Sequence, residues 1–231
     1  MRIEVRDIDF AYKYSNRQAL RDINLCFDSS EKTVLLGANG CGKTTLLKVL
    51  CGLFAPNRGY ILLDGKEVKP KPSFNFSIGL VPENPDEMFF ESTVEREIAF
   101  ILRKKKEVNI SKKVEDIMYR FDLYKLKDVS PFEISSGEKR KLAIASVIVA
   151  EQPFILLDEP IAGLDLNGVR IVENWIFNCN IGIIATTHRT DFARKFDRVV
   201  LMNSGHILAD NLNLDNNQEL LEKSDVMLLW R

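Results

Sequence analysis

Gly37-Ala38-Asn39-Gly40-Cys41-Gly42-Lys43-Thr44 is the stretch on which the reading of this chain turns. It fits the pattern G-x-x-x-x-G-K-T, whose small residues let successive backbone N–H groups point into one anion-binding nest at the start of a helix. In that pattern the lysine, here Lys43, neutralises the β and γ phosphates of a nucleotide, and the hydroxyl of Thr44 ligates magnesium. The flanks agree: Val34 to Leu36 is a short apolar run ending at the loop, and Thr44 to Leu50 has helical character. Strand, glycine loop and helix follow in the order a phosphate cradle requires. A ligand-free glycine turn is the bland alternative, and the complete spacing in this context weighs against it. The residues expected to touch the nucleotide here are Asn39, Gly40, Cys41, Gly42, Lys43, Thr44 and Thr45.

Towards the N-terminus, Ile3, Val5, Ile8, Phe10 and then Leu20, Ile23, Leu25, Phe27 approximate a period of two, which predicts antiparallel strands. Beyond the loop, Tyr60 to Leu63, the Asp64-Gly65 turn and Lys66 to Val68 predict a hairpin, and Phe76 to Val81 a further strand. From Thr93 to about Phe121 apolar residues recur at helical spacing, and Ser135 or Ser136 can cap a helix running to about Ala150. Strands and helices then alternate: Phe154 to Leu157, a helix from about Asn167, Ile181 to Ala185, and a helix near Asp191 to Lys195. That alternation predicts a parallel α/β sheet. A hairpin from Arg198 to Ala209 closes it, and a helical tail is expected from Gln218.

With 231 residues, 45% of them hydrophobic, the chain can bury a large core. Lys plus Arg (32) nearly balance Asp plus Glu (33), so no global field draws the chain to nucleic acid or to anionic lipid. The four cysteines, Cys26, Cys41, Cys51 and Cys179, form no C-x-x-C pair, which argues against a disulfide framework or metal site and for a reducing cytosol. No apolar run is long enough to span a bilayer and the N-terminus lacks a signal-peptide pattern, so membrane association is expected to go through a partner. The basic run Arg103 to Lys106 reads as a solvated helix end that favours the helix dipole.

A second constellation lies at Phe154-Ile155-Leu156-Leu157-Asp158-Glu159, two carboxylates at the C-terminal end of a buried strand, where ligands of open α/β sheets collect. Asp158 can hold magnesium. Glu159 can orient or deprotonate the water that attacks the γ phosphate.

Ile134-Ser135-Ser136-Gly137-Glu138 resembles the L-S-G-G-Q signature of ABC-type ATPases, and it stands between the phosphate loop and the acidic strand, as in that family. Ala162 to Asp165 resembles the family's D-loop, and Thr187-His188 its switch histidine. The resemblance covers nearly the whole chain. It implies an α/β, P-loop, ABC-type nucleotide-binding domain with an antiparallel β subdomain and an inserted helical lobe. Its expected division is residues 1–83 and 151–210 for the core, 84–150 for the helical lobe, and 211–231 for a tail without a substantial dimerisation domain.

The resemblance further implies ATP and magnesium as ligands, with Thr44, Asp158 and Glu83 at the metal, and Glu159, His188 and Glu83 in catalysis. Tyr12 resembles the adenine-stacking aromatic, with Tyr14 as a competitor. Ser135, Ser136 and Gly137 would act on ATP held by an opposite subunit, so two subunits would close head to tail around two nucleotides.

Val81 to Phe90 and Thr93 to Phe100 look like the Q-loop and following helix of cobalt and energy-coupling-factor transporter ATPases. That likeness implies a peripheral subunit on the cytoplasmic face of the membrane, driving uptake of a metal ion or vitamin. Its partners would be a second ABC ATPase subunit, a transmembrane coupling subunit and a substrate-binding membrane subunit; no nucleic acid is expected. Met88, Phe89 and Phe90 are candidates for the groove that receives the coupling subunit, or for the chain's own core.

Several residues depart from the pattern: Glu83 stands for Gln, Ser136 for Gly, Glu138 for Gln, and Leu166 for the usual Pro. They keep open a weakly hydrolysing regulatory subunit of a heterodimer. A soluble ABC ATPase of nucleic-acid repair or translation is the other alternative; the single phosphate loop and the lack of a long heptad insertion count against it.

Overall fold

The two apolar stripes at the N-terminus become β1 (Arg2–Ala11) and β2 (Gln18–Asp28), paired antiparallel, in a computed structural model that describes residues 1–13, 18–69 and 77–224. Their period of two slips from odd to even numbers after Val5 and back after Leu20. The register shifts between Val5 and Ile8, and Asp7 (φ 50) and Asp22 (φ 49) enter the left-handed region where the stripes slip. All eight apolar residues of the two stripes are buried as a result.

Next come β3 (Lys32–Leu36), α1 (Lys43–Leu50) and the hairpin of β4 (Arg58–Leu63) with β5 (Lys66–Val68). β4 pairs with β1, which gives a four-stranded antiparallel sheet in the order β2-β1-β4-β5. β6 (Ile78–Val81) is the described part of the strand expected from Phe76, which itself lies outside the described residues.

The stretch expected to be helical from Thr93 to Phe121 is two helices, α2 (Val94–Lys105) and α3 (Ile110–Arg120). Thr93 caps the first, its hydroxyl accepting from the Arg96 N–H; Lys106 ends it in the left-handed conformation (φ 55). α4 (Ser136–Ile148) is capped by Ser135. Then follow β7 (Phe154–Leu157), α5 (Leu166–Asn178), β8 (Gly182–Thr187), α6 (Thr190–Ala193), β9 (Arg198–Asn203), β10 (His206–Ala209) and α7 (Gln218–Lys223).

The second sheet runs β10-β9-β3-β8-β7-β6, parallel except for β10. Both of its faces are covered, and alternate residues divide between them. Val34, Leu36, Ile155, Leu157, Ile183, Ala185 and Leu201 pack with α2, α4, α5 and α6. Leu35, Phe154, Leu156, Ile184 and Val200 pack with α1 and the antiparallel sheet. Every residue of β7 and β8 is buried, so the strands read as continuous apolar runs. Gly182 has a steric reason: it pairs with Phe154, and a Cβ there would lie 2.5 Å from the phenyl ring and 2.8 Å from the Ser29 backbone.

This topology sets β3, β8, β7 and β6 side by side and parallel, so their C-terminal ends open onto one edge. The phosphate loop, Thr187-His188, Asp158-Glu159 and Pro82-Glu83 follow those four ends. Residues distant in sequence therefore meet, as the geometry of an open parallel sheet dictates.

Candidate active site

The phosphate loop leaves β3 in register with its neighbour, the Gly37 N–H donating to the Thr187 carbonyl at 3.2 Å. At Gly42 the backbone takes φ 113, and a Cβ there would stand 2.7 Å from the Ala19 carbonyl, so both conformation and space require glycine. No side chain caps α1 at this end, which leaves its first-turn N–H groups to an anion. The β9–β10 turn braces the loop: the Gly205 N–H donates to the Cys41 carbonyl (2.9 Å), and the Gly205 carbonyl accepts from Arg21 (2.8 Å).

Above the loop opens a cleft of about 460 Å³, lined by Asn39, Gly40, Gly42, Lys43, Thr44 and Thr45 among others. Tyr12 borders it. Its hydroxyl shares a 2.9 Å hydrogen bond with that of Thr45, and its ring, 44% exposed, is held edge-on by Phe10 and Phe54. Tyr14 lies outside the described residues. Gln18, Ala19, Ser204 and Gly205 also line the cleft, and the sequence reading missed them. They sit on a strand start and a hairpin turn whose local pattern signals only structure.

Cys41 lies in the loop but does not line the cleft. Its thiol is buried in the core with Leu46 and Met202 rather than in the cleft, and burial pushes its pKa up. Its backbone stays within the loop, the N–H donating to the Ala38 carbonyl at 3.3 Å. Lys43 is buried as well, its ammonium donating to the Gly37 carbonyl at 2.7 Å and the Ala38 carbonyl at 3.1 Å. An ammonium has three donors, so one remains for a phosphate.

Across the cleft, the Thr44 hydroxyl donates to Asp158 Oδ2 and the Thr186 hydroxyl to Oδ1, both at 2.6 Å. The Asp158 N–H prolongs the β6–β7 ladder to the Val81 carbonyl, and the chain then turns at Glu159 into the left-handed region (φ 47). Such a conformation costs a non-glycine residue about 1 kcal/mol and is held here by the Glu159 N–H donating to Thr186 Oγ1 (3.0 Å). The Glu159 carboxylate meets His188, Oε1 to Nδ1, at 3.0 Å. The base and switch-histidine candidates, 29 residues apart, are thus direct partners.

Glu83 is exposed and borders the cleft beside Thr44 and Asp158. A hydroxyl and two carboxylates are hard oxygen donors, and they fit magnesium, which takes few protein ligands and shares the rest with phosphates and water. Among the described residues no group of three or more His, Cys, Asp or Glu forms a closed cage, the arrangement such sharing would not need.

Ser135, Ser136, Gly137 and Asp165 lie elsewhere, around a separate recess of about 390 Å³ that shares no lining residue with the cleft. Ser135 and Glu138 form a reciprocal capping box: Ser135 Oγ accepts from the Glu138 N–H, and Glu138 Oε2 accepts from the Ser135 N–H (2.8 Å) and hydroxyl (2.7 Å). Those bonds hold the Glu138 carboxyl below its ordinary pKa. Asp165 caps α5, accepting from the Gly168 N–H at 2.7 Å.

Of the three groove candidates, Phe89 belongs to the core at 7% exposure and Met88 packs against it, which leaves only Phe90, 59% exposed and edge-on to Phe100. The buried carboxylate of Glu97 sets its backbone, accepting from the N–H groups of Phe90 (3.0 Å) and Glu91 (2.9 Å).

The sequence model of the ABC transporter family matches residues 20–162. The energy-coupling factor transporter ATP-binding protein EcfA of Carboxydothermus hydrogenoformans is 33% identical over 96% of this chain and 85% of its own length. The chain belongs to the ABC transporter family. As an ATP-binding subunit of that family it is an ATPase, with ATP and magnesium as its ligands. Among solved structures, cbiO1 from Clostridium perfringens, part of the ABC transporter complex cbiONQ, is similar with a TM-score of 0.80 and 30% identity, over 95% of this chain and 92% of that one. The ATP-binding cassette MJ0796, solved with ADP and phosphate, shares the fold of this ABC ATPase at a TM-score of 0.82 and 20% identity, over 90% of this chain and 97% of that one. Among the described residues no helix is long and apolar enough to cross a membrane.

Proposed function

We propose that this ABC ATPase powers uptake of a small micronutrient, a metal ion or a vitamin, from the cytoplasmic face of the membrane. It would work in a head-to-tail pair with a second ABC ATPase and on a transmembrane coupling subunit, joined by a substrate-binding membrane protein. The observation that carries the paired arrangement is that the cleft and the signature recess share no residue. Each is then half a site, completed by the other half on a partner. The uptake reading is supported by the likeness, along nearly the whole chain, to an energy-coupling factor ATPase and to a subunit of cbiONQ.

In this reading the loop N–H groups and Lys43 hold the phosphates, and Tyr12 meets the adenine. Magnesium, when bound, would be held by Thr44, Asp158 and Glu83, and it offsets phosphate charge. Glu159 orients the attacking water and takes its proton, while His188, hydrogen-bonded to Glu159, keeps that carboxylate in place and senses the γ phosphate. Ser135 and Gly137 of one subunit close on the nucleotide of the other, and reopening after hydrolysis supplies the stroke. Exposed Phe90 is the contact for the membrane partner. Purification from the native membrane, with identification of every subunit that accompanies the chain, tests the reading; recovery free of any membrane protein would refute it.

One observation favours a second reading, a weakly hydrolysing member of a heterodimer. The Ser135 hydroxyl is committed to Glu138, and a carboxylate in the signature turn repels an approaching γ phosphate. Under that reading Glu138→Gln raises steady-state ATP turnover about threefold or more, a gain of at least roughly 0.6 kcal/mol in transition-state stabilisation. Unchanged or lower turnover returns the chain to the first reading.

A further inference from the structure

Arg140 is on the inner face of α4, one turn past Ser136, and only 6% exposed. Its neighbours along the helix, Leu142 to Ala145, are apolar and buried. A cation in such a place is tolerated only when its donors are met. Two are: Nη1 donates to the Pro82 carbonyl at 3.0 Å, and Nη2 donates to the Glu83 carbonyl. Nε is buried with no partner among the described residues. Burial pushes the guanidinium pKa down, and the charges of Glu83, Asp158 and Glu159 pull it back up.

An apolar side chain of similar length would fill the slot without an unmet donor, so packing alone does not account for a guanidinium there. What it does is connect. Its fork grips two consecutive peptide units that leave β6 for the cleft, and its stem grows from the helix whose first turn carries Ser136 and Gly137. A planar fork suits this task because both bonds are set by one rigid group.

We infer that Arg140 is a positioning residue that ties the backbone of Pro82 and Glu83 to the signature helix. A change at Glu83 on filling the cleft is thereby passed to the turn that meets the partner's nucleotide. The inference rests on the two-half-site reading above. It assigns to one buried side chain the mechanical link between the halves within a subunit.

Hydrogen exchange on the purified full chain, with and without ATP and magnesium, tests it. In the parent, nucleotide slows exchange around residues 39–45, 82–84 and 135–139. In Arg140→Met, which keeps an unbranched stem in the slot, slowing persists at 39–45 but falls about fivefold or more at 135–139. Arg140→Lys keeps the charge and a donor able to reach either carbonyl, and it restores part of that protection. Retention of full protection at 135–139 in Arg140→Met overturns the inference. Equal loss in the Met and Lys variants overturns it too, because the residue would then matter only as packing. Parental protection at 39–45 with none at 135–139 would refute the two-half-site reading instead, and no protection at 39–45 would refute nucleotide binding.

Discussion

Glu159 and His188 illustrate what single residues do here. The base candidate is buried, turned into a left-handed conformation and partnered at 3.0 Å by the histidine that follows β8. Glu159→Gln keeps size and hydrogen bonding but not basicity; it is expected to bind ATP with parental affinity while turnover falls by about 100-fold or more. Equilibrium nucleotide binding and a phosphate-release assay check the two halves of that expectation, and undiminished turnover would remove Glu159 from the base role. Glu83 adds a negative charge where the family has a neutral amide. At about 5 Å and an effective dielectric near 20, one like-charge pair costs roughly 3 kcal/mol before magnesium and solvent offset it. ATP binding by the parent should therefore depend on magnesium more steeply than binding by Glu83→Gln. Superimposable magnesium titrations of the two proteins would contradict this.

Elements act here by holding loops rather than by supplying chemistry. α2 aims Glu97 back at the turn before it, and one oxygen accepts both the Phe90 and the Glu91 N–H. Burial raises the Glu97 pKa, and the two N–H bonds only partly oppose the shift. A carboxyl whose folded pKa is raised contributes stability that is fully present below its unfolded pKa and is lost as pH rises through the folded one. At neutral pH the charged form is thus a burden on the fold. Glu97→Gln keeps an acceptor for both N–H groups without the charge, so its melting temperature at pH 7 should match or exceed the parent's. The difference should close below roughly pH 4, where both states of Glu97 are protonated. Glu97→Ala leaves two N–H groups without their acceptor and should cost about 2 kcal/mol in denaturant unfolding. A Gln variant several degrees less stable at pH 7 would show that the charge itself is needed. The division of the 93–121 stretch into α2 and α3 belongs to this scale as well. Lys106 and Asn109 both adopt positive φ, at 55 and 58; lysine announces no helix break, and Asn109, a residue type that tolerates this conformation, is a weaker cue than glycine or proline.

For the whole molecule, the arrangement on which the proposed pairing rests is the separation of the cleft from the signature recess. Gly137 separates folding from assembly. A Cβ there would meet only ordinary contacts, 3.7 Å from the Gly163 carbonyl and from Leu164, and alanine is a better helix former than glycine by up to about 1 kcal/mol. Gly137→Ala should therefore keep or raise the melting temperature of the isolated chain, yet lower turnover by about tenfold by obstructing the close approach of the opposite nucleotide. A variant with parental turnover would mean that no nucleotide approaches that turn. The phosphate loop, the buried strand ending in Asp158-Glu159, a helix cap at Ser135 or Ser136 and the alternating stripes were all legible in the sequence, because each depends on local geometry: a nest of N–H groups, a period of two, a cap three residues from its target; the structure chose Ser135. The family resemblance followed from the same local motifs. Tertiary structure alone decided that Glu159 meets His188 and that Gly205, itself held by Arg21, braces the loop. It also turned the Cys41 thiol and Phe89 into the core, and it made Arg140 a bridge from α4 to residues 82 and 83. Those facts depend on which strands lie side by side and which faces they bury, and contacts between residues 29, 57 or 164 positions apart leave no periodic trace along the chain.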